Sequence, residues 1–154
     1  MIKNNLNKLL DRVKRNCNKY IQLRDLIISN GEIIAKCISC NRIWLINNSY
    51  DLKNFHAGHY FNDNDYKSVR FDEININGQC AKCNTPAPKG MSGNLSNYQI
   101  GLIKKVGQKE FDELVKRKDQ IKKFGYKELE ELNKYFLEKI KAEKERLGFE
   151  QTIN

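Results

Sequence analysis

Two Cys-x-x-Cys pairs, Cys37-Ile38-Ser39-Cys40 and Cys80-Ala81-Lys82-Cys83, constrain this chain more than any other feature. Four thiolates in two short-spaced pairs can close a tetrahedral shell around Zn²⁺, an ion that takes sulfur readily and imposes no directional preference of its own. A shell drawn from both pairs pulls two distant segments to one point, so the stretch between them becomes a loop cinched at its base. A site filled in this way contributes folding free energy and performs no chemistry. The count of five cysteines is odd, and in a reducing compartment the pattern reads as metal binding rather than as a disulfide framework. Cys37, Cys40, Cys80 and Cys83 are therefore read as ligands of one structural zinc, and Cys17 as a small packing residue on a helix.

The 154 residues suit one domain with a helical extension. Lys and Arg total 28 against 19 Asp and Glu, a net charge of +9 that attracts polyanions; charge alone leaves nucleic acid and an anionic membrane both open. No run reaches the roughly 18 apolar residues of a membrane span, and the N-terminus lacks the apolar core of a signal peptide. The expectation is a soluble cytoplasmic protein with no membrane partner. The excess charge is uneven: +5 over residues 1–36, +1 over 37–99 and +3 over 100–154. Basic arms around a nearly neutral centre suit a core that does chemistry between segments that hold phosphate.

Apolar spacing predicts an amphipathic helix over residues 5–28, with Leu6, Leu9, Leu10, Val13, Cys17, Tyr20 and Ile21 on one face. Arg12, Arg15 and Lys19 lie on another face, which reads equally as a solvated surface or as a phosphate-binding stripe. Residues 32–47 read as strand, zinc knuckle and strand, and Phe55–Phe61 as a strand interrupted at Gly58. After the polar loop 62–65, residues 68–71 read as another strand and 72–78 as a turn. Pro86 and Pro88 keep any helix after Cys83 short. Ser92-Gly93-Asn94 offers caps, Asn94 above all, for a helix over 95–106. Further helices are predicted over 108–118 and 127–147. The narrow seam of the last one (Leu129, Leu132, Phe136, Ile140) suits either a homodimer contact or an intramolecular bundle. The tail beyond Gly148 is expected to fray. The expected class is α+β, divided into a basic N-terminal helix (1–30), a zinc-stapled core (31–106) and a C-terminal helical region (107–154).

Both histidines, His56 and His59, fall inside the loop that zinc would cinch, in His56-Ala57-Gly58-His59-Tyr60. A neutral imidazole can take a proton from water or ligate a divalent metal. Residues three apart on a regular strand point to opposite faces, so both rings reach one metal only if Gly58 introduces a bulge or turn. Asn84 stands directly after a zinc ligand, and its carboxamide oxygen is a suitable hard ligand for Mg²⁺ or Mn²⁺. Arg70, Lys82 and Lys89 flank this constellation, either holding phosphates and steadying the transition state, with Arg70 as a catalytic candidate, or standing as solvated charges. Trp44, Tyr60 and Phe61 suit either base stacking or packing around the zinc.

Cys-x-x-Cys, a histidine, Asn75-Ile76 and Cys80-x-x-Cys83-Asn84, in that order, resemble the HNH (His-Me finger) nucleases that carry a structural zinc. More closely, Tyr20-Ile21-Gln22-Leu23-Arg24-Asp25, His56-Ala57-Gly58-His59-Tyr60, Val69-Arg70-Phe71, Asn75-Ile76-x-Gly78-Gln79-Cys80 and Ser92-Gly93-Asn94-Leu95 resemble the phage NinG/Rap recombination proteins. The resemblance spans roughly residues 12–148. It implies a ββα-metal core and a divalent-metal-dependent endonuclease acting on branched DNA such as Holliday junctions and D-loops, alongside other recombination proteins. It also implies His59 as the general base, Asn75 as the residue orienting it and Asn84 as a ligand of catalytic Mg²⁺ or Mn²⁺. The chain departs from the broader HNH pattern at Gly58, where Asp or His usually ligates the metal, and His56 is the candidate substitute. The main rival reading is a non-enzymatic zinc-ribbon DNA-binding protein with incidental histidines.

Overall fold

The computed structural model describes residues 2–149. Among them the chain forms six helices and five strands in a mixed α+β arrangement. Helix α1 (Ile2–Arg24) buries Leu9, Val13, Cys17, Tyr20 and Ile21, the predicted stripe, against α6 (Tyr126–Arg146) through Leu129 and Phe136. Each fully buried side chain of this size contributes about 1.5–3 kcal/mol relative to exposure, so this pairing is a main source of stability. The seam of α6 is thus consumed inside the chain, in the bundle arrangement, with Leu132 and Ile140 packed against the same core.

The predicted first helix is too long by four residues. It stops at Arg24, and β1 (Leu26–Ser29) pairs antiparallel with β2 (Glu32–Lys36). Asn30 and Gly31 both hold positive φ, 52° and 79°, the geometry of a two-residue hairpin turn that an Asn-Gly pair supplies. The β-branched Ile27 and Ile28 that extended the apparent helix belong to this strand. A third strand, β3 (Ile43–Leu45), completes the sheet beyond the first Cys-x-x-Cys turn.

Asn48 caps the one-turn α2 (Ser49–Leu52) in a reciprocal pair with Asp51. The second sheet has two strands, β4 (Phe55–His59) and β5 (Ile76–Cys80), antiparallel with Phe55 opposite Cys80 and His59 opposite Ile76. The segment expected as a turn is therefore half strand. Residues 68–71, expected as a strand, instead form a 3-10 turn (Lys67–Val69) and a bend, because Val69 and Arg70 are buried with no strand beside them. A single turn of helix, α3 (Ala81–Asn84), follows β5, and the next substantial helix waits until α4 (Leu95–Val106), beyond the two prolines. Gly107 separates α4 from α5 (Gln108–Lys118). Tyr98, Leu102, Phe111 and Leu114 from this pair enclose Val69, with Tyr60 and Phe61 packed against them.

Phe149 packs against the core cluster that contains Leu26 and Leu147, and the rest of the tail expected to fray lies outside the described residues. Among the described residues no helix is long and apolar enough to cross a membrane.

Candidate functional site

The two Cys-x-x-Cys turns meet. The sulfurs of Cys37, Cys40, Cys80 and Cys83 all lie within 4.8 Å of one another, and Cys40 Sγ is 3.8 Å from Cys80 Sγ. A tetrahedral zinc with bonds of about 2.3 Å requires sulfurs roughly 3.8 Å apart, so the four thiols fit that ion. The backbone holds them there: Asn41 N–H donates to Cys37 O, and Ile38 N–H donates across to Gly78 O, tying one knuckle to the strand that carries the other. Burial raises the Cys37 thiol and pushes that of Cys83 up to about 12. Burial would raise Cys40 too, but donation from the Arg42 backbone and the neighbouring thiols outweighs it and lowers this group. Four thiolates packed so closely need a cation to neutralise them. Asn94 donates to Cys83 Sγ at 3.4 Å and its oxygen accepts from the Asn97 side chain at 3.0 Å, so the expected capping bond to an α4 backbone N–H is not formed. Cys17 is far from this cluster, buried in the α1–α6 core.

The β4–β5 register runs unbroken through Gly58, with no bulge. His56 and His59 therefore stand on opposite faces of the sheet, and the one-metal arrangement of both rings is not formed. His56 Nε2 lies 3.1 Å from Lys53 O, a carbonyl fixed by the capped turn of α2, so this nitrogen carries the hydrogen. Its Nδ1 lone pair then faces Asn84, whose Nδ2 is 3.2 Å away. Asn84 closes the α3 turn, one residue beyond Cys83, so the sulfur centre sets its position. An imidazole nitrogen whose other nitrogen is held by a backbone carbonyl, beside a carboxamide, is a donor set that fits a divalent cation.

His59 lies under α1. Its Nε2 is 3.0 Å from Arg70 O, and its ring lines a cavity of about 150 Å³ with Lys14, Cys17, Asp63 and Arg70. Burial pulls this imidazole below its ordinary value of 6.5, so it is neutral near pH 7, with the Nδ1 lone pair able to accept a proton. Asn75 is fully buried and clamps the loop that delivers the Arg70 carbonyl. Its Nδ2 donates to Phe61 O (2.9 Å) and Val69 O (3.0 Å), and its Oδ1 accepts from Phe61 N–H (2.8 Å). The Arg70 guanidinium is turned to the Asp63 carbonyl (2.7 Å), and Lys14 pairs with the Asp63 carboxylate at 2.7 Å.

Lys82 and Lys89 are exposed on either side of Asn84 in sequence, and Arg12 and Arg15 are exposed on α1. Lys19 is half-buried; burial and the charge of Lys144 lower its ammonium. Trp44 packs edge-on against Phe55, and Tyr60 against Phe61, Tyr98 and Phe111, so these aromatics serve packing.

Three residues to which the sequence assigned no role bear on the site. Asp25 accepts from Arg24 Nε (2.8 Å), Lys105 Nζ (2.9 Å) and the Gly78 N–H (2.7 Å), which ties the end of α1 and α4 to β5. Burial alone would raise this carboxyl, but hydrogen bonds and charge from Arg24 and Lys105 hold it below its ordinary value. Tyr98, fully buried, donates to Gly58 O at 2.7 Å and so fixes the strand between the histidines. Gln79 stands directly across from His56 and is wholly buried. Asp25 and Gln79 stand in the motifs shared with the NinG/Rap proteins, but what each side chain does, like the role of Tyr98, emerges only when the strands pair.

A family model described as the bacteriophage lambda NinG protein matches residues 2–146. Curated relatives include the ninG protein of Escherichia phage 933W, 40% identical over 78 residues that cover 51% of this chain and 33% of the relative. The ninG protein of Enterobacteria phage H19B is 43% identical over 58 residues, 38% of this chain and 27% of the relative. That of Escherichia phage lambda is 38% identical over 78 residues, again 51% and 33%. The matched stretch thus spans about a third of the length of these relatives. No solved structure matches the chain. On the family match, which covers nearly all of its length, the chain belongs to the bacteriophage lambda NinG protein family.

Proposed function

We propose that this chain is an HNH-type endodeoxyribonuclease: zinc-stapled, dependent on Mg²⁺ or Mn²⁺, and acting on branched or partly single-stranded DNA during phage recombination in the host cytoplasm. The observation that carries the reading is the pairing of His56 Nδ1 with the Asn84 carboxamide, one residue beyond a sulfur-anchored turn. A bound Mg²⁺ or Mn²⁺ would supply positive charge for the scissile phosphate and the leaving oxygen. His56 and Asn84 would hold it. His59, kept neutral by burial and oriented by the Arg70 carbonyl, would take the proton from the attacking water. Asn75 keeps that carbonyl in place by clamping both ends of the 61–70 loop. Lys82, Lys89, Arg12, Arg15 and Lys19 would contact phosphates along the strands, which positions DNA without reading its sequence. Arg70, committed to Asp63, would act by shaping the loop.

The test is incubation with branched, linear and single-stranded DNA, with and without Mg²⁺ or Mn²⁺. Cation-dependent nicks are expected on branched substrates, lost in His59→Ala and in Asn84→Ala, with DNA binding retained. Nicking by His59→Ala at the wild-type rate would remove His59 as the base. The placement of His59 and Asn84 on opposite faces of β4 favours a second reading, a non-enzymatic zinc-stapled DNA-binding protein. DNA binding with no nicking on any substrate would establish it.

A further inference from the structure

Among the described residues two buried side-chain polar atoms lack a hydrogen-bond partner, Trp44 Nε1 and Gln79 Oε1. The second is aimed at the His56–Asn84 site. Gln79 Nε2 donates to Ser39 Oγ at 2.6 Å and to Gly93 O at 2.5 Å. A backbone carbonyl can only accept, so the amide nitrogen must face Gly93 and the oxygen must face away from it. A buried acceptor held in one orientation with nothing to accept is costly, which marks Oε1 as an atom whose partner is something other than protein.

The position of that atom says what the partner is. Gln79 shares a face with His56, its cross-strand partner, and with Gly58. A Cβ placed on Gly58 would stand 2.2 Å from Gln79 Oε1 and 3.0 Å from Asn84 Oδ1. The two carboxamide oxygens therefore converge over one point of β4, an approach that only a residue without a side chain at position 58 allows. The His56 ring adjoins it through Asn84. Two carbonyl-type oxygens and an imidazole nitrogen suit Mg²⁺ or Mn²⁺ better than a soft ion.

We propose that Gln79 Oε1 is a direct ligand of the divalent cation held by His56 and Asn84, seated where the two carboxamide oxygens converge beside Gly58. This rests on the cation-dependent reading given above. None of the three donors is charged, so the free protein binds the cation weakly, and a neighbouring phosphodiester strengthens the binding.

The test is titration of the zinc-loaded protein with Mn²⁺ into the millimolar range, followed by the electron paramagnetic resonance of the free ion, with zinc content and thermal melting as checks on folding. Gln79→Leu is expected to weaken Mn²⁺ binding by at least about tenfold, as is Asn84→Ala. Gly58→Ala places a methyl group 2.2 Å from Gln79 Oε1, so that oxygen must move aside; it should weaken binding similarly, and it carries the test if Gln79→Leu fails to fold. Combining Gln79→Ala with Gly58→Asp puts a carboxylate where the carboxamide stood and should restore binding, which a merely structural glutamine would not allow. Affinity unchanged in Gln79→Leu and Gly58→Ala but lost in Asn84→Ala overturns the role of Gln79 and leaves the cation site standing. Absence of any Mn²⁺ binding by the wild-type protein overturns both.

Discussion

The two faces of β4 carry one histidine each and treat it differently. On one face, His56 meets Asn84 and Gln79, and the geometry is set by the sulfur centre through β5 and α3. On the other, His59 is covered by α1 and held by a loop that Asn75 clamps. In both, Nε2 sits against a backbone carbonyl, which leaves Nδ1 as the basic nitrogen. The difference lies in surroundings. The first ring faces neutral donors beside an exposed turn; the second is desolvated next to the Lys14–Asp63 ion pair. Strand periodicity set two similar residues on opposite faces with separate supports.

Those supports can be removed one at a time. The largest effect is expected from the sulfur centre. Cys83→Ser, or extraction of the metal by a chelator, removes a source of folding free energy whose apparent size in small zinc domains is about 10–16 kcal/mol. Loss of cooperative melting, together with loss of bound zinc by elemental analysis, is the expected result. Because α1 and α6 pack through their own apolar core, helical circular dichroism should fall less than the near-ultraviolet signal. An intact, cooperative melt in the zinc-free protein would mean that the His56 face does not depend on sulfur at all.

Asn75→Ala addresses the other face. Three hydrogen bonds to the 61–70 loop disappear, and buried groups of Phe61 and Val69 lose their partner. The expected cost is about 2–4 kcal/mol in denaturant unfolding, with zinc content unchanged. Hydrogen exchange should speed up in residues 60–71 and stay as before at the knuckles. Equal acceleration on both sides would show that the two faces are one cooperative unit.

How much of this arrangement could be read from the sequence follows from the range of each interaction. The sulfur centre was legible because each half is a four-residue turn, and the helices α4, α5 and α6 because their apolar periods are local. The boundary at Arg24 was not, since Ile27 and Ile28 continue a helical spacing and become a strand only through pairing with β2. Residues 68–71 look like a strand by composition, yet have no neighbour to pair with; Val69 packs among α4 and α5, and Phe71 against the α1–α6 core. Asn94 looks like a cap, but its amide nitrogen donates to the Cys83 sulfur and its oxygen accepts from the Asn97 side chain rather than from a helical backbone N–H. Gln79 stood in a family motif but carried no role there: its significance arises from Gly58 and Ser39, 21 and 40 residues away.

The smallest predicted effect separates the faces by pH alone. Burial holds the folded-state value of His59 below the ordinary 6.5 of the unfolded chain, despite partial opposition from the Arg70 carbonyl and Asp63. As pH falls through 6.5 the unfolded state takes up a proton that the folded state refuses, so stability must decline with falling pH in that range. The decline ends once the folded-state value is passed and both states are protonated. Above 6.5 neither form of the ring is charged and the contribution is flat. Urea midpoints measured between pH 7.5 and 5 should show this slope in the wild type and lose it in His59→Gln, whose amide can still donate to the Arg70 carbonyl. A slope that survives in His59→Gln but vanishes in His56→Gln would place the desolvated imidazole on the wrong face of β4, and with it the assignment of base and ligand.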